Sequence, residues 1–445
     1  MIVGCPRGVR FVLLAVAATL GVVLASCSSG STTDAADTAD GSGSAPSTES
    51  SSPETDADDT AADADAEVDA AAADEGEAGD GGADDASSDQ TEDAADPADE
   101  ADSAALFATV TETVDAFVAD RGLEGAGLIV VDAEDGVLYE QYFGTFSADR
   151  ISMIASASKM ISAGVLLRLQ DDGLLDLDAP VERVVDWGVG NPEVTPAQLV
   201  SNSSGLVGLG PDLLYAPYLC QWAVEGTLQQ CGETVFTSAN DDEDQIAPDT
   251  EFRYGGAQWQ VAGAVAEAAS GRSWAQLIQE TYVEPCGVDS LGYLSLGALP
   301  VGLGGYPDAF GGDPDSVTPS DNPNIEGGAY ITVADYGALL LMHLRGGRCD
   351  DQQVLSQAAL DAMHGDRIAA AYGGDAWSSG TGYGMGWWVD RESGRINDPG
   401  AWGAFPWLDL DDGYGAYIVV EDRSATGQAL ADEIEELVHQ AVTGR

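Results

Sequence analysis

Apolar residues recur along this chain with two periods, and those periods locate its elements. Leu106, Phe107, Val110, Val114, Phe117 and Val118 share one helical stripe, and Gly122 follows as a stop. Residues 127–131 and 137–143 are strand-like runs joined by a turn ending Asp135-Gly136. Helical spacing returns at 156–170, 258–269 and 331–345, each followed by glycine, and again at 428–442. Between the last two, residues 384–389 and 407–420 read as strands, the second broken by Asp411-Asp412-Gly413. Strands near both ends with helices between them predict an α+β domain. Its antiparallel sheet is drawn from distant parts of the chain, flanked by helices beside an adjoining helical region. The expected folded domain spans residues 105–445, long enough to bury a sizeable core.

The preceding residues follow neither period. From 28 to 104 the chain is Ala, Asp, Glu, Ser, Thr, Gly and Pro, apart from Val68 and Gln90, with 25 acids and no base. Nothing there can be buried to offset ordering entropy, so residues 27–104 are expected to form a disordered acidic tether. As a flexible coil it would reach about 50 Å, and further under self-repulsion. Ahead of it, Arg7 and Arg10 precede an apolar run over 11–23 that is too short to span a bilayer. Leu24-Ala25-Ser26-Cys27 then resembles the bacterial lipobox. The expectation is a signal peptide over 1–26, lipid attachment at Cys27 and an extracytoplasmic, membrane-anchored location.

Charge and cysteine usage narrow the class. The formal net charge is −61, and residues 105–445 contribute −38 of it. Such a chain is repelled by phosphate backbones and anionic headgroups, which argues against nucleic-acid binding and leaves the lipid as the expected membrane contact. Of six cysteines, Cys5 falls in the signal and Cys27 carries lipid. Cys220, Cys231, Cys286 and Cys349 remain as disulfide candidates with three possible pairings, the short-loop choice being Cys220–Cys231 with Cys286–Cys349. No CxxC or His-rich spacing is present, so no metal is expected.

Lys159 is the only lysine; the other 15 basic positions are arginine. Arginine keeps its proton, whereas a buried lysine can be tuned towards neutral pH and act as a base. Ser156 stands three residues earlier, in Ser156-Ala157-Ser158-Lys159. On a helix the two share a face, which brings the amine within reach of the hydroxyl and can activate it as a nucleophile. The helix N-terminus also offers free N–H groups to a developing oxyanion.

Ser156-x-x-Lys159, followed by Leu174-Leu175-Asp176-Leu177-Asp178-Ala179-Pro180-Val181, resembles the serine β-lactamase and penicillin-binding protein superfamily, on its class C and esterase side. The resemblance continues through Val194 to Leu206, Phe252-Arg253-Tyr254-Gly255-Gly256, Glu326-Gly327-Gly328-Ala329-Tyr330 and Tyr383-Gly384-Met385-Gly386-Trp387-Trp388, in the family's order. It implies a β-lactamase/transpeptidase-like fold and acyl transfer through an acyl-enzyme, with no cofactor. Ser156 would be the nucleophile, Lys159 its base and Tyr254 a proton shuttle whose phenol is lowered by the lysine. The N–H groups of Ser156 and of a strand residue near Ala401 would form the oxyanion hole.

Two departures bear on substrate. Gly256 replaces the asparagine that follows the family tyrosine, and Asp398-Pro399-Gly400 replaces a motif that begins with Lys or His. Asp398 is expected to repel a substrate carboxylate, by about 4 kcal/mol for a bare pair near a surface. Asn202 replaces a family histidine and reads as structural. Arg253 is a candidate to restore the missing cation. The expectation is a monomeric, esterase-like hydrolase of a small acyl or peptide-like substrate rather than a typical penicillinase. The alternatives are a non-catalytic lipoprotein that binds cell wall or acyl compounds, and a D-alanyl carboxypeptidase of the same family.

Overall fold

The computed structural model describes residues 105–191, 193–209, 215–238, 245–299 and 305–445. The signal peptide, Cys27 and the tether lie outside the described residues.

The strands are β1 Gly125–Asp132, β2 Gly136–Gly144, β3 Ser152–Met153, β4 Gly292–Tyr293, β5 Ala329–Ile331, β6 Arg348–Cys349, β7 Gln352–Gln353, β8 Thr381–Tyr383, β9 Trp388–Asp390, β10 Ile396–Asn397, β11 Ala404–Asp409 and β12 Tyr414–Val419. The helices that shape the site and core are α1 Ala108–Arg121, α2 Lys159–Asp171, α3 Leu228–Ser238, α4 Ala257–Ser270, α5 Val333–Leu344, α6 Gln357–His364 and α7 Ser424–Thr443.

The main sheet is antiparallel, in the order β2-β1-β12-β11-β10-β9-β8. Its centre pairs the beginning of the domain with its end, Leu128 facing Ile418 and Ile129 facing Tyr417. Side chains alternate across β1. Leu128 and Val130 pack with α1 and α7, whereas Ile129 and Val131 join the larger core that contains α2, α4 and α5. Both faces are covered, so β1 is buried along its whole length.

Several expected boundaries move. Gly122, at φ +64, ends α1 as predicted, but the buried stripe begins at Phe107 and Leu106 is exposed. The run over 384–389 splits, because residues 384–387 leave the ladder between β8 and β9. The predicted 331–345 helix gives Ile331 to β5, and Thr332 caps α5 by accepting from the Asp335 N–H. Helix α3 was not predicted although Leu228, Cys231, Val235 and Phe236 share one stripe, whereas a second helix over Pro196–Val200 and the strands β3 to β5 are too short for a periodic signal.

Both short-loop disulfides form, Cys220–Cys231 and Cys286–Cys349. They fit an extracytoplasmic protein. Among the described residues, no helix is long and apolar enough to cross a membrane.

His343 near the end of α5 meets His364 at the end of α6, Nδ1 to Nε2, at 2.9 Å. Burial lowers both imidazoles, His343 far below 6.5 and His364 to about 4. The pair is therefore neutral when folded, while the unfolded rings bind protons below about 6.5. Between these values the unfolded state holds more protons, so stability should fall as pH drops from 6.5 towards 4. Thermal melts across that window should show the fall, with a shallower slope in a His364→Gln variant.

Candidate active site

Ser156 sits in the tight 3-10 turn Ala155–Ser158, which runs directly into α2. Ala155 enters that turn at φ +47, a left-handed conformation that costs a residue with a Cβ about 1–2 kcal/mol. From 152 to 160 every residue is buried except Ser156, which is left partly open to solvent. The strained turn thus presents one hydroxyl at the surface of a packed core.

Lys159 opens α2 and is 0% exposed. Its Nζ donates to Ser156 Oγ at 3.2 Å and to the Glu326 carbonyl at 2.9 Å, and lies 3.6 Å from Glu326 Oε2. The Tyr254 ring centre is 4.8 Å from the amine and that of Trp259 is 5.8 Å away. Glu326 reaches this position through the small sheet β3-β5-β4, where Ser152 faces Ile331 and Met153 faces Tyr330. The segment before the nucleophile is thereby fastened to the segment after Glu326. The Ile154 N–H donates to Ala329 O, and the Ala329 N–H to Ser158 Oγ, both at 3.1 Å.

Tyr254 lies in the irregular segment before α4, and Asn202 holds that segment in place. The buried Asn202, at φ +54, accepts the Arg253 N–H on its carbonyl at 2.8 Å. Its side-chain oxygen accepts from Gln258 Nε2 at 2.8 Å and Trp259 Nε1 at 3.2 Å. The structural reading of Asn202 therefore fits. The phenol of Tyr254 meets the side chains of Ser156 and Lys159, and its ring packs 5.4 Å from Trp388.

The electrostatics differ from the expected lowered pair. Burial presses Lys159 towards the neutral amine, but Tyr254, Glu326 and Asp398 outweigh it and hold the amine above its ordinary 10.5. Burial raises the Tyr254 phenol as well, and the lysine only partly offsets that rise. At neutral pH the resting pair is an ammonium and a phenol. A base appears when the pair sheds one shared proton, and that step belongs to both groups together.

Asp398 is the main correction. It is 0% exposed, and its Oδ2 accepts the Met160 N–H at 3.1 Å. The carboxyl therefore turns in beneath the first turn of α2, where it satisfies a main-chain N–H that has no partner within the helix. Burial raises it far above the usual carboxylate range. A group so placed does not confront substrate directly. Gly400 packs against the residue that leads into the nucleophile turn. A Cβ there would come within 2.0 Å of Ile154 O. Ala401 packs in the cluster that holds Ala155 and Trp402, and its carbonyl accepts the Ser424 N–H at 2.7 Å. Arg253 places its Nε 3.6 Å from Glu251 Oε2.

Gly256 has a reason that its lack of a side chain did not reveal. A Cβ there would lie 2.2 Å from Glu326 Oε1 and 2.7 Å from Gln221 Oε1. Glu326 is thus part of the site, although sequence reasoning used it only as the start of a glycine motif.

The chain matches the profile of the Beta-lactamase family over residues 110–440. It belongs to the Beta-lactamase family. As such it is a serine hydrolase with relatives of two kinds. Penicillin-binding protein 4 of Amycolatopsis lactamdurans is 26% identical over 325 residues, 68% of this chain and 82% of that relative. Esterase EstB of Burkholderia gladioli is 28% identical over 215 residues, 43% of this chain and 53% of the esterase. The fold matches that of EstCE1, a hydrolase with promiscuous acyltransferase activity. The TM-score is 0.61 at 19% identity, covering 77% of this chain and 99% of that one.

This Beta-lactamase family member requires a bare backbone where β10 turns towards β11. Gly400→Ala should destabilise the domain by about 1–3 kcal/mol in denaturant unfolding and push residue 401 away from Ser156.

Proposed function

We propose that this protein is an exported, lipid-anchored serine hydrolase that cleaves an ester or amide through an acyl-enzyme. The observation that carries the reading is the buried Lys159 amine donating to the partly open Ser156 hydroxyl, with Tyr254 against both. Ser156 Oγ attacks the substrate carbonyl, and its proton passes to the Lys159–Tyr254 pair after that pair has lost one to solvent. The oxyanion is received by the N–H groups of Ser156 and Ala401. The same pair returns the proton to the leaving group, and water then releases the acyl chain by the reverse route.

The esterase-like preference is supported by what stands at the third motif. Penicillin-recognising relatives carry a cation there, and this chain carries a buried aspartate. Tyr254, Trp388 and Trp377 form an aromatic wall, tilted at the first contact and edge-on at the second, with Trp377 exposed at its end. Such a wall suits an apolar acyl or alcohol group.

A fluorophosphonate probe should label the wild-type protein, and Ser156→Ala should abolish the label. Tyr254→Phe should lower kcat/KM for a neutral p-nitrophenyl ester by roughly 10²–10⁴-fold while leaving the thermal midpoint near that of the wild type. A chromogenic cephalosporin should turn over more slowly than the ester, and the opposite order would favour a penicillin-recognising role. Cys27→Ala should release the protein from the membrane fraction.

A further inference from the structure

The volume next to Gly256 is filled by a carboxylate. Glu326 Oε1 stands where a side chain at 256 would begin, and Oε2 lies 3.6 Å from the Lys159 amine. Glycine at 256 and glutamate at 326 therefore belong together, because neither a larger residue at 256 nor this rotamer of Glu326 leaves space for the other.

The main chain that carries the carboxylate is also firmly placed. The Glu326 carbonyl accepts from Lys159 at 2.9 Å. On the preceding residue, the Ile325 N–H donates to Gln260 Oε1 at 2.8 Å and the carbonyl accepts from Ser162 Oγ at 2.5 Å. Residues 329–331 are fixed by pairing with both β3 and β4. The Glu326 side chain keeps 12% of its surface exposed while Lys159 keeps none, so solvent reaches the anion and not the cation. The groups facing the amine are Ser156, Tyr254, Glu326 and Asp398.

We propose that Glu326 determines specificity in this cleft, holding Lys159 by its charge and turning away substrates with a carboxylate beside the scissile acyl group. The inference rests on the acyl-enzyme reading above and deepens it. It assigns uncharged or cationic esters and amides as the substrate class. Like charges repel across a partly desolvated cleft, and the lysine, already matched by Glu326, offers no spare positive charge to a substrate anion. Because Glu326 also stabilises the ammonium, beside Tyr254 and Asp398, it raises the pH at which the Lys159–Tyr254 pair yields its proton.

The test compares p-nitrophenyl butyrate with mono-p-nitrophenyl succinate, which differ in a terminal carboxylate. The wild type should favour the butyrate. Glu326→Gln, which keeps the shape and removes the charge, should improve the succinate relative to the butyrate by roughly tenfold or more. It should also move the acid limb of kcat/KM for the butyrate to lower pH, since an anion that favoured the ammonium is gone. A purely structural role would leave both the ratio and the limb in place.

A double-mutant cycle gives a second route. Gly256→Asn alone should lower the thermal midpoint, because its Cβ meets Glu326 and, less closely, Gln221. Combined with Glu326→Ala the penalty should shrink, leaving only the contact with Gln221, and the double variant should show the same relaxed ratio. Butyrate hydrolysis with an unchanged ratio and limb in Glu326→Gln, or a Gly256→Asn penalty undiminished in the Glu326→Ala background, would overturn the role of Glu326 alone. If the wild type hydrolyses neither ester and takes no fluorophosphonate label at Ser156, the acyl-enzyme reading fails and this inference falls with it.

Discussion

A single ammonium with no exposed surface imposes the arrangement of everything near it. Burying an unpaired charge would cost several kcal/mol, on the order of what holds a domain together, so the surroundings must supply oxygen and π-density from every side. They do so with a hydroxyl, a main-chain carbonyl, a carboxylate and two aromatic rings, from α4, from segments on either side of it and from the turn before α2. Solving the burial problem also solves a catalytic one, because the hydroxyl among those partners is the only one left partly open to solvent along its turn.

The same logic accounts for Asp398. A carboxyl buried beneath the first turn of a helix interacts with backbone N–H groups and, through a short distance, with the lysine at its start. Residues that resemble a substrate-binding motif in order along the chain can therefore be turned inward in space. The anion that solvent does reach came from the segment before β5, an element only three residues long.

How much of this was legible depended on separation along the chain. Ser156 and Lys159 could be paired from sequence because residues three apart in a helical turn meet by geometry alone. Helices 257–270 and 424–443 were legible because their apolar stripes are long and end near glycine. Glu326 was not, since its partner lies 167 residues away and the two meet only through the two-residue strand β3. Leu106 fitted the stripe of α1 by spacing and is exposed, because the stripe marks a face and not where the helix starts to pack. Short strands such as β10 carry too few residues for alternation to register.

The pairing of β1 with β12 has a consequence for how the domain is made. The central seam of the sheet joins Gly127 to Val419, so the core cannot close until almost the whole polypeptide has left the ribosome. Contacts of such long sequence separation form slowly, and β1, apolar on both faces, can pair early with β2 while its other edge stays open. Nascent chains of this protein are therefore vulnerable to aggregation for most of their synthesis, and truncation anywhere before the last strand leaves an exposed, sticky edge rather than a smaller working domain.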